Sequence, residues 1–326
     1  MNKNFLLHLI PSIPFGRWIC GAVLFVILFL FFELTSPESM PPATLFFALI
    51  ISYIIPIFSF ITDKSLDALD DLREDLDLTD DEFALTKKTI IYPKFGGNLL
   101  APCLGLVFAF FHQFLIFGSN LNLMPGNRDS VENFAGFIGT ILIWITMTTV
   151  ITALVTNARV FSNLGAKNIR IDLHQTERLL PLARVATSST LAIIGALALF
   201  PILFFDSDTP LSGALPGFVA TGIPIFVLLA VPVWPMHRRL VQAKETALGQ
   251  VNALIASKSG NTLESSLDKT GIEELAPLLS YKKYLSQVST WPFDLGAITR
   301  LALYLIIPPL TWVGAALIEK GLESVL

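Results

Sequence analysis

Cysteine is nearly absent: Cys20 and Cys103 are the whole complement of a 326-residue chain. Both fall inside apolar stretches. A disulfide framework needs several cysteines in exposed loops, so it is excluded, and each cysteine reads as a small packing residue. Charge is also scarce. Only 15% of residues are Asp, Glu, Lys or Arg, against about a quarter in ordinary soluble domains, and the shortfall excludes a conventional soluble surface. The chain has no H-E-x-x-H, no G-x-S-x-G, no Walker lysine loop and no Cys-x-x-Cys, so the familiar soluble-enzyme centres are excluded with them. Its histidines, His8, His112, His174 and His237, lie on separate segments. No catalytic centre and no cofactor are expected. A basic stripe interleaved with aromatics is lacking too, which argues against nucleic acid. There is no convincing internal repeat and no low-complexity linker.

What the chain has in abundance is apolar length. Apolar residues make up 53% of it, 26 of them Phe. Seven apolar stretches stand out: Trp18–Phe32, Ala43–Ile61, Leu99–Phe117, Phe134–Val155, Ala186–Phe205, Gly213–Trp234 and Leu301–Ile318. A membrane span needs about 20 apolar residues, with about 17–25 tolerated. The expected fold is an all-α polytopic membrane protein of about seven transmembrane helices. The first and last stretches are short, and the last could instead be a re-entrant segment that leaves six spans. Between them lie an N-terminal segment (1–17), an acidic loop (63–98), a middle loop (157–185) and a long loop (235–300).

The basic residues set the orientation. All of the 22 Lys and Arg residues except Arg128 and Lys320 fall in every second gap: before the first stretch, and in the acidic, middle and long loops. Cytoplasmic loops of membrane proteins carry such an excess. The expectation is a multi-pass protein of the plasma (inner) membrane, with its N-terminus and long loops in the cytoplasm. The opening stretch is read as a retained span rather than a signal peptide, because Glu33–Pro42 offers no small-residue cleavage site and ends on two prolines.

The acidic loop carries the sharpest charge anomaly. Asp63, Asp67, Asp70, Asp71, Glu74, Asp75, Asp77, Asp80, Asp81 and Glu82 crowd into one short run. Leu66, Leu69, Leu72 and Leu76 recur at helical spacing, which predicts an amphipathic helix. Thr79-Asp80-Asp81-Glu82 has the form of a capping box opening a second helix. Asp67, Asp70 and Glu74 share one face. Carboxylates so spaced can hold Mg²⁺ and a pyrophosphate in a lipid-linked transferase, but no second acidic cluster faces them in sequence. A solvated helix face is the plainer reading.

In the middle loop, Asn163-Leu164-Gly165 predicts a turn and Ile169–Leu173 a short extended stretch. His174 beside Glu177 reads as a surface hydrogen-bonding group, and Arg178 and Arg184 as snorkelling to lipid headgroups. The long loop predicts a helical hairpin. One helix runs over 237–258 with Leu240, Ala247, Val251, Leu254 and Ile255 as its stripe, and Ser259-Gly260-Asn261 supplies the break. A second runs over 272–291, with Pro277 in its first turns. The stripes suit packing on each other, on a second copy of the chain or on a soluble partner, over residues 237–291.

None of the seven stretches contains Asp, Glu, Lys or Arg, which argues against a proton relay or a carrier of strongly charged metabolites. The polar groups that remain are His112 and Gln113 in the third stretch, a threonine face of Thr148, Thr149, Thr152 and Thr156 in the fourth, and Pro308-Pro309 with Thr311 in the seventh. Hydroxyls and freed carbonyls can replace a hydration shell. Two functions from different classes follow. The chain either conducts an ion or small neutral solute past these groups, or is a non-catalytic interaction or sensory module whose cytoplasmic helices bind a partner. The Mg²⁺-dependent transferase is a weaker third.

Overall fold

The computed structural model describes residues 5–35, 41–92, 99–117, 128–204, 211–264 and 269–291, with residues 299, 303 and 306 as single positions. Apart from residues 303 and 306, the seventh apolar stretch, with Pro308, Pro309 and Thr311, lies outside them. Among the described residues the fold is all helical, without strands. The helices are α1 (Phe5–His8), α2 (Gly16–Thr35), α3 (Pro41–Asp71), α4 (Asp80–Ile91), α5 (Leu100–Phe117), α6 (Arg128–Asn163), α7 (Leu180–Leu197), α8 (Leu211–Ala230), α9 (Trp234–Glu264) and α10 (Lys269–Gln287).

Five helical segments are long and apolar enough to cross a membrane, beginning at Gly16, Thr44, Gly136, Thr176 and Val219. The apolar helix over Leu100–Leu115 is shorter. The expected count of seven therefore reduces to five long segments and one short one among the described residues. Burial separates the centre of the bundle from its edge. The apolar window of α3 is 61% buried and that of α2 only 11%. Accordingly α3 packs against α2, α6 and α7, while α2 turns Val23, Val26, Ile27 and Leu30 outward.

Glycine brings two pairs of helices close. A Cβ on Gly105 of α5 would lie 2.7 Å from the Cα of Ile145 on α6. One on Gly195 of α7 would lie 2.1 Å from the Tyr53 hydroxyl, which donates to the Ala192 carbonyl at 3.1 Å. Small residues at helix crossings allow this approach.

Two apolar clusters stack along the bundle. The larger gathers Ile50, Ile54, Phe58, Ile61, Leu154 and Ile193. The smaller gathers Leu69, Leu72, Phe161, Leu182, Val185 and Leu240 at the charged end. It exists because α3 and α6 do not stop where their apolar stretches do. The acidic amphipathic helix expected after the second stretch is the continuation of α3 itself, up to Asp71, with a 3₁₀ turn at Arg73–Asp75. Leucines at helical spacing keep one face buried across the change from apolar to charged sequence.

Local readings fare unevenly. The capping box is formed: the Glu82 amide donates to Thr79 Oγ1 at 3.3 Å, and the Thr79 amide donates to Glu82 Oε2 at 2.9 Å. Ile169 pairs with Leu76 in an isolated antiparallel bridge, with Arg170 N–H donating to the Asp75 carbonyl at 2.9 Å. The turn expected at Asn163-Leu164-Gly165 is a π-helical turn over Leu164–Asn168. The break expected at Ser259-Gly260-Asn261 is absent, since α9 runs on to Glu264. One glycine in a helix costs only about 1 kcal/mol, too little to end it alone. The second hairpin helix begins at Lys269, which places Pro277 well inside it.

Candidate functional site

Two regions collect polar groups: the interior of the bundle and its charged end. In the interior, α5 and α6 present the sequence candidates to one another. Trp144 Nε1 donates to His112 Nδ1 at 2.8 Å, with the two rings edge to face. Sequence reasoning misses Trp144, a buried indole whose single N–H donor needs a partner. Gln113 is 2% exposed. Thr148 and Thr149 are buried, and Thr149 donates back to the Ile145 carbonyl at 2.7 Å. Thr152 is half-buried, and its carbonyl accepts from Thr156 at 2.8 Å. The hydroxyls of Thr149 and Thr156 thus spend their protons on their own helix. The cavity in the bundle centre has a volume of about 30 Å³, and its lining is aliphatic apart from Tyr53 and Thr221.

A different set of buried polar atoms emerges between the two apolar clusters. Ser65 Oγ, Asn157 Oδ1 and Thr190 Oγ1 are buried without a hydrogen-bond partner. On α3, Ser65 falls between Ile61 of the larger cluster and Leu69 of the smaller; on α6, Asn157 falls between Leu154 and Phe161; on α7, Thr190 falls between Ile193 and Val185. The three therefore mark the seam where the clusters meet. Unsatisfied buried polar groups each cost about 1–3 kcal/mol.

The charged end is a lattice of ion pairs. Asp71 pairs with Arg184 at 2.8 Å, Asp75 with Arg178 at 3.2 Å and Asp77 with Arg170 at 3.7 Å, joining the acidic segment to the middle loop. Asp63 pairs with Arg17, and Arg73 with Asp80. Arg178 and Arg184, read from sequence as reaching for headgroups, thus face carboxylates instead. The Mg²⁺ candidates are engaged in the same way. Lys64 holds Asp67 at 3.2 Å and Lys87 holds Asp70 at 2.8 Å, while Glu74 sits in the 3₁₀ turn. Among the described residues no three His, Cys, Asp or Glu side chains gather as a metal set. Thr79 also acts electrostatically: its amide and hydroxyl donate to Glu82 and hold that carboxyl below its ordinary pKa.

A groove of about 690 Å³ opens where α2, α3 and α4 meet, lined by the cations Arg17, Lys64 and Lys87 and the carboxylates Asp63, Asp67 and Asp70. On another side, the hairpin of α9 and α10 is fastened to the bundle. Arg239 donates to the Gly165 carbonyl at 3.0 Å, while within the hairpin Lys244 joins its two arms by donating to the Ser286 and Val288 carbonyls at 2.7 and 2.8 Å. His174 stacks on Tyr284 and Tyr281, and His237 on Trp291. Leu240, Val251 and Leu285 are buried. Leu254, expected within the packed stripe of the first helix, is 51% exposed, and Leu279 of the second helix is 52% exposed. Compared with known proteins, the chain matches no family model, no curated protein and no solved structure.

Proposed function

We propose that the chain is a non-catalytic interaction module embedded in a membrane. Its apolar helices anchor it, and the α9–α10 hairpin binds a partner, in the cytoplasm if the basic loops obey the positive-inside bias. One observation carries this reading: α9 and α10 pack on each other and are tied to the charged end, yet they leave Leu254, Leu279, Tyr281 and Tyr284 exposed. Exposed leucine and tyrosine on a fastened hairpin make a recognition face that costs little ordering on binding. Tyrosine is among the residues enriched at interfaces.

The test uses the intact protein in its native membrane. Leu254→Asp with Leu279→Asp changes exposed positions only, so thermal unfolding should be unaltered and a co-purifying partner should be lost. Retention of the same partner by the double variant contradicts the reading.

A second reading, conduction of an ion or small neutral solute, draws on the unpartnered Ser65, Asn157 and Thr190 at the seam, together with His112, Gln113 and the threonines of α6. It predicts a selective flux in liposomes, altered by Thr152→Leu or His112→Ala without unfolding.

A further inference from the structure

We propose that the groove between α2, α3 and α4 is a binding site for a zwitterionic phospholipid headgroup. Its three cations and three carboxylates balance, and each carboxylate already has a cationic neighbour: Asp63 has Arg17, Asp67 has Lys64 and Asp70 has Lys87. A ligand of one sign must compete with a neutral lattice and gains little. A ligand carrying both signs can exchange partners throughout, its phosphate taking Arg17, Lys64 and Lys87 and its ammonium taking the aspartates. The pairs can open for it. The side chains of Asp67 and Asp70 are 58% and 52% exposed, and those of Lys64 and Lys87 40% and 41%, so these are solvent-screened pairs of small individual worth.

Position and shape select the lipid-borne form. The groove starts where the apolar part of α3 ends, with Phe60 at its edge and the guanidinium of Arg17 and the ammonium of Lys64 each 5.8 Å from that ring. Trp18 and Phe15, 55% and 77% exposed, form an apolar lip along which acyl chains can leave. Phe15 is held at φ 58°, a left-handed conformation rare for a bulky side chain. Strain of that kind collects at ligand clamps, and here it leaves the ring outside the bundle. The volume falls within the range of about 300–1,000 Å³ common to small-molecule sites.

Native mass spectrometry of the intact protein in mild detergent tests the site, with phosphatidylethanolamine, phosphatidylcholine, phosphatidylglycerol and soluble glycerophosphoethanolamine as probes. The proposal expects saturable adducts of the two zwitterionic lipids, several-fold above phosphatidylglycerol, reduced together by Lys64→Gln with Lys87→Gln and by Trp18→Ala with Phe15→Ala. Equal or stronger retention of phosphatidylglycerol would overturn it in favour of a simple basic patch. Equal binding of glycerophosphoethanolamine would overturn the lipid-borne form. If the lysine variant fails to fold, hydrogen exchange of the unaltered protein in nanodiscs decides: protection over residues 60–88 should be greater in phosphatidylethanolamine than in phosphatidylglycerol, and equal protection refutes the site.

Discussion

Arg184 Nη1 donates to Asp71 Oδ2 at 2.8 Å across 113 residues of chain, joining the end of α3 to the first turns of α7. Both side chains are about half exposed, so the pair alone is worth at most about 1 kcal/mol. Arg184→Ala and Asp71→Ala should each lower stability within that bound. The double variant should lose no more than the larger single loss, because both remove one interaction. Chemical denaturation in detergent, read as a double-mutant cycle, checks this, and strictly additive losses would dissolve the pair.

The Trp144–His112 bond makes a different demand. Trp144→Phe keeps most of the ring and removes the donor that reaches His112 Nδ1 between α5 and α6. Loss of this half-buried hydrogen bond should cost about 1 kcal/mol. Phe substitution at Trp144 in a His112→Leu background should cost less. Thermal unfolding of the four proteins supplies the comparison.

Gly195 tests the packing. An added methyl must displace the Tyr53 hydroxyl, only 2.1 Å from the position it would take. Gly195→Ala should cost about 1–3 kcal/mol, the range for overpacking a filled core. Tyr53→Phe in the same background should recover part of it. No recovery would place the strain elsewhere.

The capping box predicts a pH dependence. The Thr79 amide and hydroxyl hold the Glu82 carboxyl below its ordinary pKa. The stabilisation is therefore present above the ordinary carboxylate range and is lost as pH falls through the lowered value. Thr79→Ala should flatten that acid-side dependence and leave neutral-to-alkaline behaviour parallel to the parent. Hydrogen exchange at the first turn of α4, followed from neutral to acidic pH, reads it out.

What the sequence made legible, and what it hid, divides along distance in the chain. Apolar length announced the long apolar helices, and the Thr79–Glu82 box was readable because both partners lie within one turn. The leucines after Asp63 announced a buried helical face. They could not reveal that α3 runs through without interruption, since the shift from apolar to acidic residues resembles a boundary although the backbone period never changes. The partners of Arg178 and Arg184 are not legible in sequence because their carboxylates, Asp75 and Asp71, lie more than a hundred residues away, and next to an apolar stretch a lipid phosphate is an equally good partner. The seam of Ser65, Asn157 and Thr190 left no trace in periodicity: each is one small polar residue on a separate helix, and only the stacking of two cores aligns them.

The central claim is that the outer face of the α9–α10 hairpin engages a protein. Site-specific photocrosslinking in native membranes tests it, with a benzophenone side chain placed at Leu254 or Leu279 and, as a control exposed on the apolar helix α5, at Val107. The account predicts one discrete protein adduct from both hairpin positions and none from Val107. The absence of any protein adduct at the hairpin, in protein shown to be folded and inserted, would contradict it.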